Sequence, residues 1–340
     1  MHIFIDETGS FSGVGDFPSI SLVGALIVPD SRLSSLEKEY AKIRKTLPQD
    51  KGEVKGRLLD EKQVASVVPL LHHHSALFEA FAIDLGTHTE DGLKGFQAQQ
   101  AESMTRHLTD EHQETLKAQI WEFRKRFEAF SLPLMVQTIL TFEIVTRLIE
   151  TGPMYYSTRR PDELGNFHWV VDAKGTMDTP TNWEDWWSQF ILPVLQTRAF
   201  ARPFKHLPIG DYSKIKRFET ELTDFIRKMA DVKDGDPPPL DLGMIMRESF
   251  RFSNKPEPGL ELVDIVTNAT RRALVGNLKQ QGWGTIPSLM IHRSGPHYIK
   301  LLSVQNDPDQ NRVYPYAEVL KAFGRGGRSM LPANLKKKKW

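Results

Sequence analysis

Three aspartates in this 340-residue chain share one kind of setting. Asp6 ends the run Met1-His2-Ile3-Phe4-Ile5 and is followed by Glu7-Thr8-Gly9, and Asp172 ends Phe167-His168-Trp169-Val170-Val171. Asp264 sits in Gly259-Leu260-Glu261-Leu262-Val263-Asp264-Ile265-Val266. One strand-end Asp before Thr-Gly also has the composition of a plain turn. Its recurrence is what suggests chemistry. A carboxylate held among apolar residues costs several kcal/mol of desolvation unless it is paired or bound to a cation. Converging carboxylates repel one another, so a divalent ion is their natural partner. All-oxygen ligands suit Mg²⁺ or Mn²⁺. Two such ions about 4 Å apart activate a water and stabilise the leaving oxygen in phosphodiester cleavage. A fourth charged element is the loop Lys51-Gly52-Glu53-Val54-Lys55-Gly56, whose glycines let backbone and carboxylate come close to a metal.

Other chemistries have less support. The chain has no cysteine, which excludes disulfides, thiolate zinc sites and a cysteine nucleophile. It has no GxxxxGK[ST] or GxSxG motif, and Gly13-Val14-Gly15 leads into a strand rather than a helix. His72, His73 and His74 are neighbours about 100° apart on a helix and read as a surface cluster at its end. Asp84 also ends an apolar strand. Ser253 and Lys255 follow the last strand, and Lys255 is within reach of a phosphate at the expected site. Arg271 and Arg272, two turns beyond Asp264, are read either as a nucleic-acid contact or as a solvated helix face.

A composition of 40% hydrophobic and 26% charged residues is that of an ordinary globular protein. No apolar run is expected to approach the roughly 20 residues of a membrane helix, and the chain opens directly in a strand. A cytoplasmic location without membrane contact is expected. Net charge is +1, but no acid follows Glu318, whereas Lys321, Arg325, Arg328 and Lys336 to Lys339 are basic. Such a tail suits a polyanion or is simply solvated.

The elements that must position these groups can be read from periodicity. Strands are expected at the N-terminus, at Ser19–Val28 and at Ala76–Leu85, where Phe78, Ala80, Ala82 and Asp84 share a face. Helices are expected at Leu33–Leu47 and Leu58–Leu71, and a helical segment over about 95–150 contains the apolar stretch Leu134–Leu148. A polar loop over Pro153–Gly165 leads into the strand ending at Asp172. Pro180–Leu195 reads as a helix whose Trp183, Trp186 and Trp187 are core groups. A helix from about Ile215 and a connector at Asp231–Asp241 precede a strand at Met244–Phe252. Gly259–Val275 is a helix with Leu262, Ile265, Val266, Ala269 and Ala273 on its buried face and Asp264 beside it. This is an α/β pattern, a mixed sheet flanked by helices, with helical insertions.

That order of elements resembles the RNase H-like fold. IDETG at the start, GEVKG at 52–56, WVVD ending at 172 and GLELVDIV at 259–266 resemble more narrowly the domain-of-unknown-function family numbered 3800. The resemblance covers about residues 1–275, leaving 276–340 as a C-terminal extension with a basic tail. It implies a divalent-metal-dependent nuclease acting on DNA or RNA, in a mobile-element or phage-defence setting. The alternative is a non-catalytic nucleic-acid-binding or scaffold protein that keeps the fold, its acids paired with Lys55 or Lys174. Carried over onto matching positions, Asp6 is the first-strand metal ligand shared between two ions, Glu53 the second acid and Lys55 a phosphate-facing cation. Asp172 is the middle-strand ligand and Asp264 the late-helix ligand. Thr8 stands where the family has Ser, and Glu261 and Val263 where it has Gln and Ala. Glu261 is expected to hold a cation or water, or to face solvent. Glu7 points away from Asp6 if the strand continues. RNase H-like enzymes commonly take the second acid from the helix after the third strand, which makes Glu143 the rival of Glu53. The Gly-flanked loop favours Glu53.

Overall fold

The computed structural model describes residues 1–106, 108–174, 183–184, 187, 191, 194–196, 204, 206–222, 227, 238–293, 298–309 and 311–334. Within them the chain is an α/β protein built on a mixed six-stranded sheet. Its strands are β1 (His2–Thr8), β2 (Ile20–Val28), β5 (Leu77–Asp84), β6 (His168–Asp172), β7 (Phe250–Ser253) and β8 (Lys300–Leu302), and a separate hairpin pairs β3 (Gln49–Asp50) with β4 (Glu53–Val54). The sheet order is β7-β6-β1-β2-β5-β8. β2 runs antiparallel to both β1 and β5, while β6 is parallel to β1, β7 to β6 and β8 to β5.

Helices cover both faces, which is why every residue of β2 is buried. The helices are α1 (Asp30–Arg44), α2 (Glu61–His73), α3 (Glu90–Thr105), α4 (Glu114–Glu128), α5 (Leu132–Ser157), α6 (Leu242–Arg247), α7 (Pro258–Leu274), α8 (Gln280–Trp283) and α9 (Ala317–Phe323). On one face Ile3, Ile5, Val23, Phe81 and Trp169 pack with Met135, Leu140, Ile144 and Leu148 of α5. On the other, Phe4, Leu22, Phe78 and Val170 pack with α1, α2 and α7 through Leu36, Tyr40, Val64, Leu262 and Ile265. Alternate residues of each strand thus enter different cores. The second core also takes in Trp283, Ile286, Tyr298 and Phe323 from beyond residue 275.

Several elements depart from expectation. Met244–Phe252 is not one strand: Met244 lies in α6, and only Phe250–Ser253 joins the sheet. Asp241 caps α6, accepting the Met244 N–H at 2.8 Å. A short alternating run suits either structure until a cap decides. α5 continues through Pro153 to Ser157 in place of a loop. Buried Tyr155 and Tyr156 hold down its last turn, and the Tyr156 hydroxyl donates to the Ser75 carbonyl at 2.9 Å. Contrary to the reading of the sequence, this 26-residue helix is long and apolar enough to cross a membrane. Its most apolar window is nonetheless 56% buried inside the molecule, against the sheet. β8 and α9 lie in a stretch with weak patterning. Trp183 and Trp187 are core residues, whereas Trp186, much of Pro180–Leu195, residues 231–237 of the connector and the tail from 335 fall outside the described residues.

Candidate functional site

The period of two on β1 places Asp6 on the face of Phe4, beneath α7. Asp172 bears the same relation to Val170 on β6. The two strands are parallel with Ile5 opposite Val171, so the aspartates lie side by side on adjacent strands. Asp172 ends β6, whereas Asp6 lies two residues before the end of β1, which runs on to Thr8 instead of stopping at the aspartate. α7 crosses β1 and β2 on this face and brings Asp264 over them. Gly24, opposite Asp6 in the β1–β2 register, makes the crossing close: a Cβ there would lie 2.0 Å from Thr267 Oγ1.

The fourth acid arrives on the β3–β4 hairpin. Its two-residue turn, Lys51-Gly52, has φ of +51° and +82°, the left-handed pair that suits strand twist. Glu261 of α7 fixes the hairpin from below. Buried, it accepts from Arg44 Nε and Nη2 at 2.7 Å each, from the Tyr40 hydroxyl at 2.9 Å and from the Val54 N–H at 3.0 Å. Arg44 also donates to the Gly52 carbonyl at 2.6 Å. Of the roles its sequence position suggested, Glu261 does not face solvent; the cation it holds is the Arg44 guanidinium. Beyond the hairpin the Gly56 N–H donates to Asp264 Oδ2 at 2.7 Å, and a Cβ on Gly56 would lie 2.7 Å from the Asp264 carbonyl oxygen.

The result is an open cleft of about 260 Å³ lined by Asp6, Glu53, Asp172 and Asp264, with Lys55, Arg57 and Asn268 also on its walls. Asp6 is 7% exposed. Burial first, then the charges of Asp264, Glu7 and Asp172, push its carboxyl well above the ordinary range. Asp172 is raised to about 7 by burial and by Glu7, against the pull of Lys55. Asp264 is also raised by burial, although the Gly56 N–H, Lys55 and a hydrogen bond from Asp6 oppose it. Lys55 is desolvated, which alone would lower its ammonium, yet its pairing with Glu53 at 2.8 Å leaves it raised and charged. Among the described residues no salt bridge involves Asp6, Asp172 or Asp264. The acids are hard oxygen donors of the kind that Mg²⁺ or Mn²⁺ prefers. Among the described residues, however, no three of them bring ligand atoms within 4.8 Å of one another, so holding an ion requires their side chains to move closer.

Other candidates are used elsewhere. Glu7 turns to the opposite side of β1 and pairs with Lys174 at 2.5 Å, yet it also borders the cleft, where its charge acts on Asp6 and Asp172. Glu143 lies on α5, beyond the sheet, with Lys300 at 3.8 Å. Asp84 accepts the Ser19 and Gly86 N–H groups at 2.7 and 2.9 Å, holding a turn two strands from Asp6. Arg271 donates to the Ile20 carbonyl and Arg272 to the Leu59 carbonyl, at 2.7 and 2.6 Å, so these side chains tie α7 to the fold instead of lining an outer face. Ser253 hydrogen-bonds Glu257, and Lys255 is exposed. The histidines are not simply a surface cluster: His74 is buried, its Nε2 3.2 Å from Glu39 Oε2. In the tail, Arg328 donates to the Ser288 carbonyl and Lys321 pairs with Glu318. The sequence reading missed Arg57 and Asn268. Asn268, whose Nδ2 donates to Thr8 Oγ1 at 3.2 Å, stands one helical turn after Asp264, a spacing that could have marked it.

Compared with protein-family models, curated proteins and solved structures, the chain gives no match.

Proposed function

We propose that this protein is a divalent-metal-dependent nuclease that hydrolyses phosphodiester bonds of nucleic acid. The observation that carries the reading is that Asp6, Glu53, Asp172 and Asp264 line one open cleft, the three aspartates with raised carboxyls and without a salt bridge among the described residues. The sheet supports an RNase H-like fold for residues 1–275. The antiparallel strands β1, β2 and β5 come first, with α1, the hairpin and α2 between β2 and β5, then further helices, a parallel strand ending in Asp172, another strand, and a late helix carrying an acid. In this reading Asp6, Glu53, Asp172 and Asp264 hold Mg²⁺ or Mn²⁺. When bound, such ions supply an activated water and neutralise charge on the leaving oxygen.

The chain's own groups do the positioning. Lys55, kept protonated by Glu53, faces the cleft and orients a phosphate. Arg57, 60% exposed in its side chain and paired with Asp50 at 2.5 Å, stands at the rim. Asn268 offers an uncharged polar contact between the acids and Thr8. The hydrogen bonds of Glu261 and Gly56 hold the hairpin so that Glu53 need not be ordered when substrate arrives.

The test is cleavage of single- and double-stranded DNA and RNA with Mn²⁺, Mg²⁺ or chelator. Asp6→Asn and Asp264→Asn should each abolish metal-dependent cutting. In chelator their melting temperatures should equal or exceed that of the wild type, because each removes a buried like charge. Cutting at the wild-type rate by both variants would sink the assignment. A scaffold protein would instead melt earlier with either substitution and show no saturable Mn²⁺ binding in calorimetry.

A further inference from the structure

We propose that His2, Asp30 and His168 form a second metal site, separate from the carboxylate cleft, for Zn²⁺ or a similar borderline ion. His2 and His168 face each other in the β1–β6 register, and Asp30 opens α1 directly after β2. One ligand atom from each of the three lies within 4.8 Å of the other two. His2 Nε2 is 2.8 Å from Asp30 Oδ1. His168 Nδ1 is held by the Ser249 hydroxyl at 2.8 Å, which leaves Nε2 free to bind and fixes the ring in the way that groups behind a metal ligand do.

Two imidazoles and one carboxylate with an open side make a zinc-type ligand set, with room for a water in the fourth position. The rings now stack with centroids 4.5 Å apart and planes 22° apart, so a shared ion requires His2 to swing out of the stack. Its side chain is 20% exposed and that of Asp30 55%, which permits the movement and gives an ion its entry. The site lies on the face of Asp6 but four residues earlier on β1, about 13 Å away by strand rise. Its nitrogen ligands select against the Mg²⁺ or Mn²⁺ expected of the cleft. An ion here would clamp the starts of β1 and β6 to the first turn of α1.

The experiment uses the full chain, stripped with chelator, dialysed and titrated with Zn²⁺ by calorimetry and by thermal melting. Two backgrounds remove competing sites: Asp6→Asn with Asp264→Asn for the cleft, and His73→Ala for the neighbouring Glu39, His73 and His74 group. In both, a saturable Zn²⁺ step and an upward shift in melting temperature should persist. His168→Ala should weaken the step at least tenfold and cancel the shift. His168→Gln, which keeps a polar group against Ser249 but ligates poorly, should do the same and guards against a folding defect. A step untouched by both His168 variants, or no step in the Asp6→Asn, Asp264→Asn protein, would overturn the proposal. Neither readout depends on cleavage, so the site can fail while the nuclease reading stands, and the reverse.

Discussion

Asp172 is the residue whose charge should be easiest to follow in solution. Its carboxyl rises from about 3.9 in an unfolded chain to about 7 in the folded one. Between those values the folded protein binds the extra proton, so stability falls as pH rises from about 4 to about 7 and is greatest at the acid end of that window. In chelator, urea unfolding should show this decline, amounting to a few kcal/mol. Asp172→Asn should reduce it, the remainder coming from the raised carboxyls of Asp6 and Asp264, and Mn²⁺ should offset it by favouring the ionised form. A wild-type stability that rises steadily across the same window would contradict the buried, unneutralised state of the acid. Glu261 behaves differently, since its charge is matched. Glu261→Ala strands Arg44 and Tyr40 and should cost on the order of 3 kcal/mol in unfolding experiments, with the hairpin loosened as a by-product. Unchanged stability would mean that the pair does not hold the hairpin.

At the scale of elements, the cleft depends on how closely α7 and the hairpin approach one another. A methyl group at Gly56 would press on the backbone of Asp264. Gly56→Ala should therefore lower stability by about 1–3 kcal/mol and reduce metal-dependent cleavage at least tenfold, with Mn²⁺ affinity falling in calorimetry. If cleavage and Mn²⁺ binding both survive, Glu53 and Asp264 are not held in place by this contact. Much of this arrangement is legible in the sequence. Apolar alternation ending in Asp marked β1 and β6, and the helical pattern around Asp264 marked α7 and its inner edge. What remained hidden depends on distant partners. Nothing near Glu261 announces Arg44, and three residues of β8 carry no period. The alternation of Met244–Phe252 suits a strand until Asp241 caps a helix there. The last turn of α5 forms despite Pro153 because Tyr155 and Tyr156 are buried, which local propensity does not foresee.

For the whole molecule, residues beyond 275 share the sheet and the second core: β8 pairs with β5, and Trp283 stacks on Phe323 with centroids 5.2 Å apart. Arg293 reaches back to the fully buried Glu79 at 2.6 Å. Unfolding by scanning calorimetry should therefore be one cooperative transition. Two resolved transitions would show that 276–340 folds on its own and is a separate unit.

The placement of Asp264 on a late helix also gives the cleft a history during synthesis. A nascent chain that has completed β1, the hairpin and β6 already carries Asp6, Glu53 and Asp172, yet lacks the lid under which they meet. The acid cluster closes only when Pro258–Leu274 has left the ribosome and docked on β1 and β2. Premature termination before that helix leaves strands without a cleft, so whatever binds among these acids requires a chain that extends at least through Leu274.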